Sequence, residues 1–572
     1  MNTIKGSPIS SGIAIGKVYL KKTAAEEISF QKTENRETEK KRFEASRILA
    51  IKQVEEIHDQ MLHEKGEQEA SIFLAHIEML NDTEFINGVE KSIDEAECTS
   101  EWAVKMVRDQ FVEIFEAMED AYMRERAMDI RDISGRVLRI LSGSESEASL
   151  KLTEPVILVS NDLTPSDTAQ MKPELVLGIL NETGGPTSHA AIIARMLGIP
   201  FVICPDITNL VKNGQLIAFD GEAGTIELDV DDEILKVYGE KQDAFRQKTL
   251  ALEQLKGQKS VTRDGHEILL AGNIGAPEDV KSVIQQDGQS VGLFRTEFLY
   301  MNRQDAPTEE EQFAAYKEVG EKMQGKPVVI RTLDIGGDKE VDYLNIPKEE
   351  NPFLGYRAIR LCLDRVPFWE IQLRALLRAS VFGNIHIMFP MIASMDELFR
   401  AKQILEEVKA SLKREGIAYN ENVPVGMMME TPAAALMADV FAKEVDFFSI
   451  GTNDLIQYTM AVDRMNGNVA YLYSQYDPAV LRFVKKVVTS AHENGIWAGI
   501  CGEAAADPVL LPLWAGLGLD ELSMSAGSIL RIKDQLRELS KTDCESLAEK
   551  IDSLKTAKEV KEVLTNYKRT DA

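Results

Sequence analysis

A multidomain α/β architecture is predicted by three features of the 572-residue chain. Short apolar runs alternate eight times with helical segments in the C-terminal half, a long block of helical periodicity interrupts strand-like runs in the N-terminal half, and the length exceeds what one hydrophobic core can organise. Residues 1–22 read as short strands. From 33 to about 143 the spacing changes: Ile48, Ile51, Val54, Ile57 and Met61 recur every three or four positions, as along one buried helix face. Segment 23–143, acidic and poor in turn formers, therefore predicts an inserted bundle of about four helices. Beyond Pro155 the runs Val156–Val159, Leu175–Leu180, Phe201–Ile203 and Gln215–Phe219 are strands broken by turns. Residues 1–22 and 144–229 then make one α/β domain into which the bundle is inserted, and 230–258, rich in Glu, Lys, Gln and Leu, predict a linking helix.

Within 259–572 the strand candidates are Ile268–Asn273, Ser290–Phe294, Pro327–Leu333, Ile385–Phe389, Pro424–Met429, Val445–Ile450, Ile496–Cys501 and Glu521–Ser525. Eight such units in about 310 residues predict a (β/α)8 barrel of the TIM type, with an open doubly wound sheet as the alternative. The third connection exceeds 50 residues, long enough to carry extra active-site structure.

Composition narrows the class. Hydrophobic residues make up 44% and charged residues 28%, and no apolar run approaches the ~20 residues needed to cross a bilayer, which predicts no membrane span. The N-terminus carries no signal-peptide apolar region. Cys98, Cys204, Cys362, Cys501 and Cys544 are odd in number, scattered and without a CxxC pair, which predicts a reducing cytoplasm with neither a disulfide frame nor a zinc site. A net charge of -28 argues against nucleic acid and favours a basic partner.

The segment from Thr183 to Arg195 is the most informative. Gly184 and Gly185 permit a tight turn, Pro186 fixes the next φ, and Thr187 or Ser188 can cap a helix that runs through Leu197. His189 then lies in the first helical turn, where free amides and the helix dipole favour a neutral imidazole and afterwards a phosphoryl group attached to it.

Barrels of this type place chemistry at the C-terminal ends of their strands. There the second strand ends in Arg295, Thr296 and Glu297, the third runs from Arg331 into Asp334–Lys339, and the long connection carries Arg357, which together predict a cationic mouth. Arg295, Arg331 and Arg464 suit a small substrate bearing both carboxylate and phosphate. Glu430 and Asp454, at the ends of the fifth and sixth strands, suit a magnesium ion whose remaining ligands come from substrate and water. Cys501 reads either as a small buried hydrophobe or as a proton donor to a carbanion-like carbon.

The turn GGPTSHAAIIAR, the run DIGGDK at 334–339, NPFLGYRAIR at 351–360, MMMETPAA at 427–434 and FFSIGTNDLIQYTMAVDR at 447–464 together resemble Enzyme I of the bacterial phosphotransferase system, phosphoenolpyruvate-protein phosphotransferase, along essentially the whole chain. The resemblance implies that the first α/β domain is a swivelling phosphohistidine domain and that the barrel binds phosphoenolpyruvate with Mg2+ held by Glu430 and Asp454. It implies that His189 attacks phosphorus through Nε2. Arg295, Arg331, Asn453 and Arg464 would hold the substrate, Lys339 and Arg357 would stabilise the phosphoryl group, and Cys501 would protonate the departing enolate to give pyruvate. The phosphoryl group would then pass to a histidine of the carrier HPr docked on the helical insert, where Glu67, Glu69, His76, Glu84 and Arg126 are possible contacts or simply solvated helix positions. A homodimer through the barrel is also implied, with hinges near 22, 144 and 230–258. The nearest rival is a pyruvate phosphate dikinase or phosphoenolpyruvate synthase. It would need an ATP-binding domain, for which the insert is too short and lacks a glycine-rich loop.

Overall fold

The computed structural model describes residues 3–21, 28–64, 67–116, 121–143, 152–169, 171–185, 188–301, 303–337, 339 and 341–567. The chain divides into two compact units, Met1–Thr249 and Leu250–Ala572. The hinge positions expected near 22 and 144 lie outside the described residues.

The first unit opens with strands β1 (Thr3–Lys5), β2 (Ser7–Ser10) and β3 (Ile13–Leu20). Helices α1 (Arg36–Glu64), α2 (Glu67–Leu80), α3 (Thr83–Ala96), α4 (Ser100–Glu116) and α5 (Ala121–Ser142) follow. Five described helices stand where about four were expected. On α1 the expected stripe holds at Val54, Ile57 and Met61 and fails at Ile48. Phe43, Ala50, Val54, Ile57 and Met61 are buried, whereas Ile48 is 55% exposed. The stripe starts at Phe43 and reaches Val54 through Ala50, which turns Ile48 away from it. Asp82 caps α3 by accepting from the amides of Glu84 and Phe85 at 2.8 and 3.0 Å.

The chain returns to the sheet with β4 (Val156–Ser160), α6 (Pro165–Ala169), β5 (Val176–Asn181), α7 (His189–Leu197), β6 (Phe201–Ile203), α8 (Ile207–Leu210), β7 (Leu216–Asp220) and β8 (Thr225–Glu227). The strand order is β1-β8-β7-β3-β4-β5-β6-β2. The four strands from β3 to β6 are parallel, and antiparallel strands flank them on both sides. Alternation distributes side chains to two apolar layers, the period-two consequence of the pleat. Leu158, Ile179 and Phe201 pack with Ala190, Ala191 and Ala194 of α7, while Ile157, Leu180 and Val202 pack with Ile207 of α8. Helix α9 (Asp232–Glu253) closes the unit, and the boundary between the two units falls inside it.

The second unit is a closed barrel of eight parallel strands. These are β9 (Leu269–Ile274), β10 (Ser290–Arg295), β11 (Pro327–Arg331), β12 (Asn384–Phe389), β13 (Val425–Met429), β14 (Phe447–Ile450), β15 (Trp497–Ile500) and β16 (Glu521–Met524). All eight strand candidates are present, and Leu522 opposite Leu270 closes the ring. Leu293, Val329, Met388, Met428, Phe447 and Cys501 form an apolar cluster contributed by six different strands or strand ends. Residues 332–383, the long connection after β11, contain helices Ile359–Asp364 and Val366–Ala379.

Candidate active site

Two places carry the chemistry suggested by the sequence, one in each unit. In the first, β5 ends at Asn181 and the chain turns through Glu182–Gly185 before α7 begins. Gly184 has φ +115, a conformation that penalises any side chain. Ser188, with an extended backbone, caps α7 by accepting from the amide of Ala191 at 3.3 Å, and Gly198 ends the helix at φ +67. His189 is the first helical residue, at the positive end of the helix dipole. Its side chain, together with Pro186 and Thr187, lies outside the described part of the structure.

The turn is tied to the end of β4. Thr183 donates from its amide to the Asn161 carbonyl at 3.0 Å and from its hydroxyl to Asp162 at 3.0 Å. Glu182 accepts from the amide of Thr208 at 3.0 Å. Burial pushes the Asp162 carboxyl up to about 6. The resulting frame holds a strand end, a glycine turn and a helix N-terminus, the arrangement that binds or carries phosphate in open α/β sheets.

In the second unit a cavity of about 410 Å³ opens at the C-terminal ends of the barrel strands. It is lined by all nine residues that the sequence nominated there, namely Arg295, Arg331, Lys339, Arg357, Glu430, Asn453, Asp454, Arg464 and Cys501. Most of the charges form one relay. Arg331 pairs with Glu297 at 2.7 Å and with Asp334 at 2.9 Å, and Lys339 pairs with Glu297 at 2.7 Å. Arg357 pairs with Asp334 at 2.8 Å and approaches Asp454 at 3.5 Å, and Arg464 meets Asp454 at 3.2 Å. Burial raises the Glu297 and Asp334 carboxyls, but the adjacent cations outweigh it and hold both below the usual range. The same contacts overcome desolvation of Arg331 and Arg357 and keep both guanidiniums firmly protonated. Arg295 differs: exposed at the rim, it has no carboxylate partner among the described residues.

This arrangement corrects the expected cationic mouth. Among the described residues five cations, Arg295, Arg331, Lys339, Arg357 and Arg464, face five carboxylates, Glu297, Asp334, Glu430, Asp454 and Glu503. The sequence placed the arginines at the strand ends but gave no weight to their counter-ions. A buried guanidinium without a partner costs several kcal/mol, so each buried cation is accompanied.

Glu430 lies outside the relay of cations. Its Oε1 accepts from the amide of Met391 at 2.6 Å, and Met391 has the unusual φ of +57. Burial, then repulsion from Asp454 and Asp334, pushes its carboxyl up to about 8. Gly451 leaves space beside it, since a Cβ there would lie 2.9 Å from Glu430 Oε2. Two neighbouring carboxylates that repel each other, with room at one oxygen, fit an oxygen-seeking divalent cation.

Cys501 follows β15 directly and is 5% exposed. Its Sγ lies 3.6 Å from the Ile450 carbonyl, and Asn273 donates from Nδ2 to the backbone carbonyl of Cys501 at 3.0 Å. Burial pushes the thiol up to about 11, so it holds its proton at neutral pH. Asn453 presents its side-chain oxygen to the amide of Glu503 at 3.4 Å. Sequence reasoning overlooked Asn273 and Tyr458. The Tyr458 hydroxyl accepts from Arg357 at 3.1 Å; Tyr458 lies within the run 447–464, whereas Asn273 closes a strand candidate with nothing to mark it.

In the helical insert the candidates separate. His76 is fully buried, with Nε2 3.3 Å from Asp129, so it is a core residue and offers no surface to a partner. Arg126 pairs with the same Asp129 at 3.1 Å, whereas Glu84 is exposed in the first turn of α3. The side chains of Glu67 and Glu69 lie outside the described part of the structure. No described helix is long and apolar enough to cross a membrane.

Comparison with known proteins covers the chain in three blocks. Residues 5–126 match the N-terminal domain of PEP-utilising enzymes, 152–224 their mobile domain and 250–541 their PEP-binding domain. The phosphoenolpyruvate-protein phosphotransferase of Priestia megaterium is 49% identical over 558 residues, 97% of each chain. That of Bacillus subtilis (strain 168) is 49% identical over 561 residues, 98% of each chain. The Staphylococcus carnosus (strain TM300) protein of the same name is 47% identical over 567 residues, 99% of each chain.

Proposed function

Because this chain belongs to the PEP-utilising enzymes, and among them to the phosphoenolpyruvate-protein phosphotransferases, we propose that it moves the phosphoryl group of phosphoenolpyruvate first to Nε2 of His189 and then to a histidine of the carrier protein HPr. The observation that carries this reading is the barrel cavity, where guanidiniums, two repelling carboxylates and a protonated thiol converge. In the first step the bond from phosphorus to the enol oxygen breaks as the bond from His189 forms. Pyruvate enolate leaves, and Cys501 delivers its proton to the methylene carbon.

Arg295, without a carboxylate partner among the described residues, meets the incoming anion. Arg331, Asn453 and Arg464 fix its orientation, and Lys339 and Arg357 face the phosphoryl oxygens. Their carboxylate partners hold these groups in place before the substrate arrives, so little reorganisation accompanies charge migration. Glu430 and Asp454 would hold the divalent metal that the family uses, proposed here as Mg2+, which when bound would neutralise developing charge on the phosphoryl and enolate oxygens. The carboxylates that line the cavity beside its cations favour that added positive charge when a multiply charged substrate binds.

His189 and the cavity belong to different compact units, so the reaction requires that the glycine turn be delivered to the cavity and then to the carrier. HPr is proposed to dock on the helical insert, where Glu84 is the exposed one of the nominated contacts whose side chains are described. A homodimer through the barrel and a cytoplasmic setting complete the proposal. A dikinase is disfavoured, since the relatives matched along almost the whole chain are named protein phosphotransferases.

Incubation with labelled phosphoenolpyruvate and Mg2+ tests the reading. The wild-type protein should acquire acid-labile phosphate and pass it to HPr, and His189→Ala should acquire none while retaining its circular dichroism spectrum. Stoichiometric acid-labile label on the variant would remove His189 from the relay.

A further inference from the structure

We propose that Phe353 is a positioning residue whose ring holds the guanidiniums of Arg357 and Arg464 together at the cavity, in the spacing that the anionic substrate needs. This rests on the reading above of those two arginines as ligands of phosphoenolpyruvate. Phe353 lies in the short turn Pro352–Leu354 of the long connection after β11 and does not itself line the cavity.

Two cations share its ring. The guanidinium carbon of Arg357 is 5.8 Å from the ring centroid and that of Arg464 is 5.6 Å away. The residues come from different parts of the barrel, since Arg357 belongs to the same connection as Phe353 and Arg464 to the segment after β14. Like charges brought this close repel, and the negative face of an aromatic ring offsets part of that cost. Asp454, which contacts both guanidiniums, offsets another part.

The ring is itself fixed on two further sides. Its backbone carbonyl accepts the hydroxyl of Tyr458, and that hydroxyl also accepts from Nη1 of Arg357. Gly337, at φ +72, brings its backbone against the ring, and a Cβ there would sit 3.2 Å from it. Phe353 thus joins a glycine of the DIGGDK run, the tyrosine of the helix Thr452–Met460, and both arginines. A leucine could fill the volume but would lack the quadrupole that attracts the cations.

Near-isosteric replacement of the ring separates attraction from packing. Incorporation of mono-, di- and trifluorinated phenylalanine at position 353 progressively removes the negative face while nearly preserving shape. The KM for phosphoenolpyruvate should rise steadily along the series, reaching roughly tenfold with the trifluorinated ring, the size expected for a desolvated cation–π contact. Because the ring touches no reacting atom but places Arg357, which faces the phosphoryl oxygens, kcat should fall by less than the KM rises, and Phe353→Tyr should keep the wild-type KM. A KM that is flat across the series, or a fall in kcat alone, would overturn the proposal. A wild-type protein that takes no phosphate from phosphoenolpyruvate would instead overturn the function on which it rests.

Discussion

Replacement of Cys501 by alanine tests the mechanism where structure gives a magnitude. The thiol is pushed up to about 11 by burial, with the nearby carboxylates of Glu430 and Glu521 adding to the shift and Arg331 opposing it. At pH 7.5 only about one thiol in three thousand is then ionised, so the proton is present in almost every molecule. A positioned general acid contributes about 10²- to 10⁴-fold. Cys501→Ala should accordingly slow pyruvate formation at least a hundredfold in a single-turnover assay coupled to lactate dehydrogenase, while the KM for phosphoenolpyruvate changes little. In the wild type, modification by a small methanethiosulfonate should keep accelerating through pH 10, without the plateau of an ordinary thiol. The folded thiol value lies above the unfolded one, so its stabilising contribution is intact below pH 9 and is lost as pH rises through 11. The rise from an ordinary thiol value to about 11 corresponds to roughly 3 kcal/mol, which should appear as steeper alkaline destabilisation of the wild type than of the variant. Unchanged pyruvate formation, or a modification plateau near pH 9, would refute the reasoning.

The same cavity supports three further expectations. Glu430→Gln should abolish most metal-stimulated turnover, by about a hundredfold, without lowering the melting temperature, because it relieves a buried carboxylate held beside Asp454; Mg2+ titration of turnover reads the first effect and a metal-free thermal melt the second. Gly336→Ala should raise the KM for phosphoenolpyruvate about tenfold or more, since Gly336 has φ +105 and a Cβ there would lie 2.5 Å from that of Arg357. Glu521, buried in the barrel and hydrogen-bonded to Ser290 at 2.7 Å, is pushed up to about 7 by burial, with Asp520 adding to it. Its folded value lies above the unfolded one, so stability present below about pH 4.5 is lost as pH rises through 7. Glu521→Gln should therefore gain on the wild type by up to roughly 3 kcal/mol above pH 8 and by nothing below pH 4, as read by denaturant titration.

Local patterns in the chain carried much of this architecture. Eight apolar runs predicted eight barrel strands because each strand is buried on both faces and needs no partner's sequence to be recognised. The glycine turn predicted the start of α7, and Ser188 performs the capping, because caps and positive φ are local requirements. Helix faces were less legible. Ile48 was assigned to the wrong side of α1 and His76 was treated as a surface candidate, because a stripe fixes its orientation only when it meets its neighbours. Buried His76 beside Asp129 shows how a polar side chain can belong to the core when a partner is supplied from another helix.

The sequence alone determined which groups would gather at the barrel mouth, since a residue just after a parallel strand has one place to go. It also determined that His189 begins a helix behind a glycine turn. Only the tertiary structure decided how the gathered charges balance, through the pairs of Glu297, Asp334 and Asp454 with their cations, and that Phe353 stands between two arginines from separate connections. Charge pairing and ring contact depend on distances of a few ångströms between segments that only the fold brings together: Glu297 meets cations 34 and 42 residues away, and Phe353 meets an arginine from the connection after another strand.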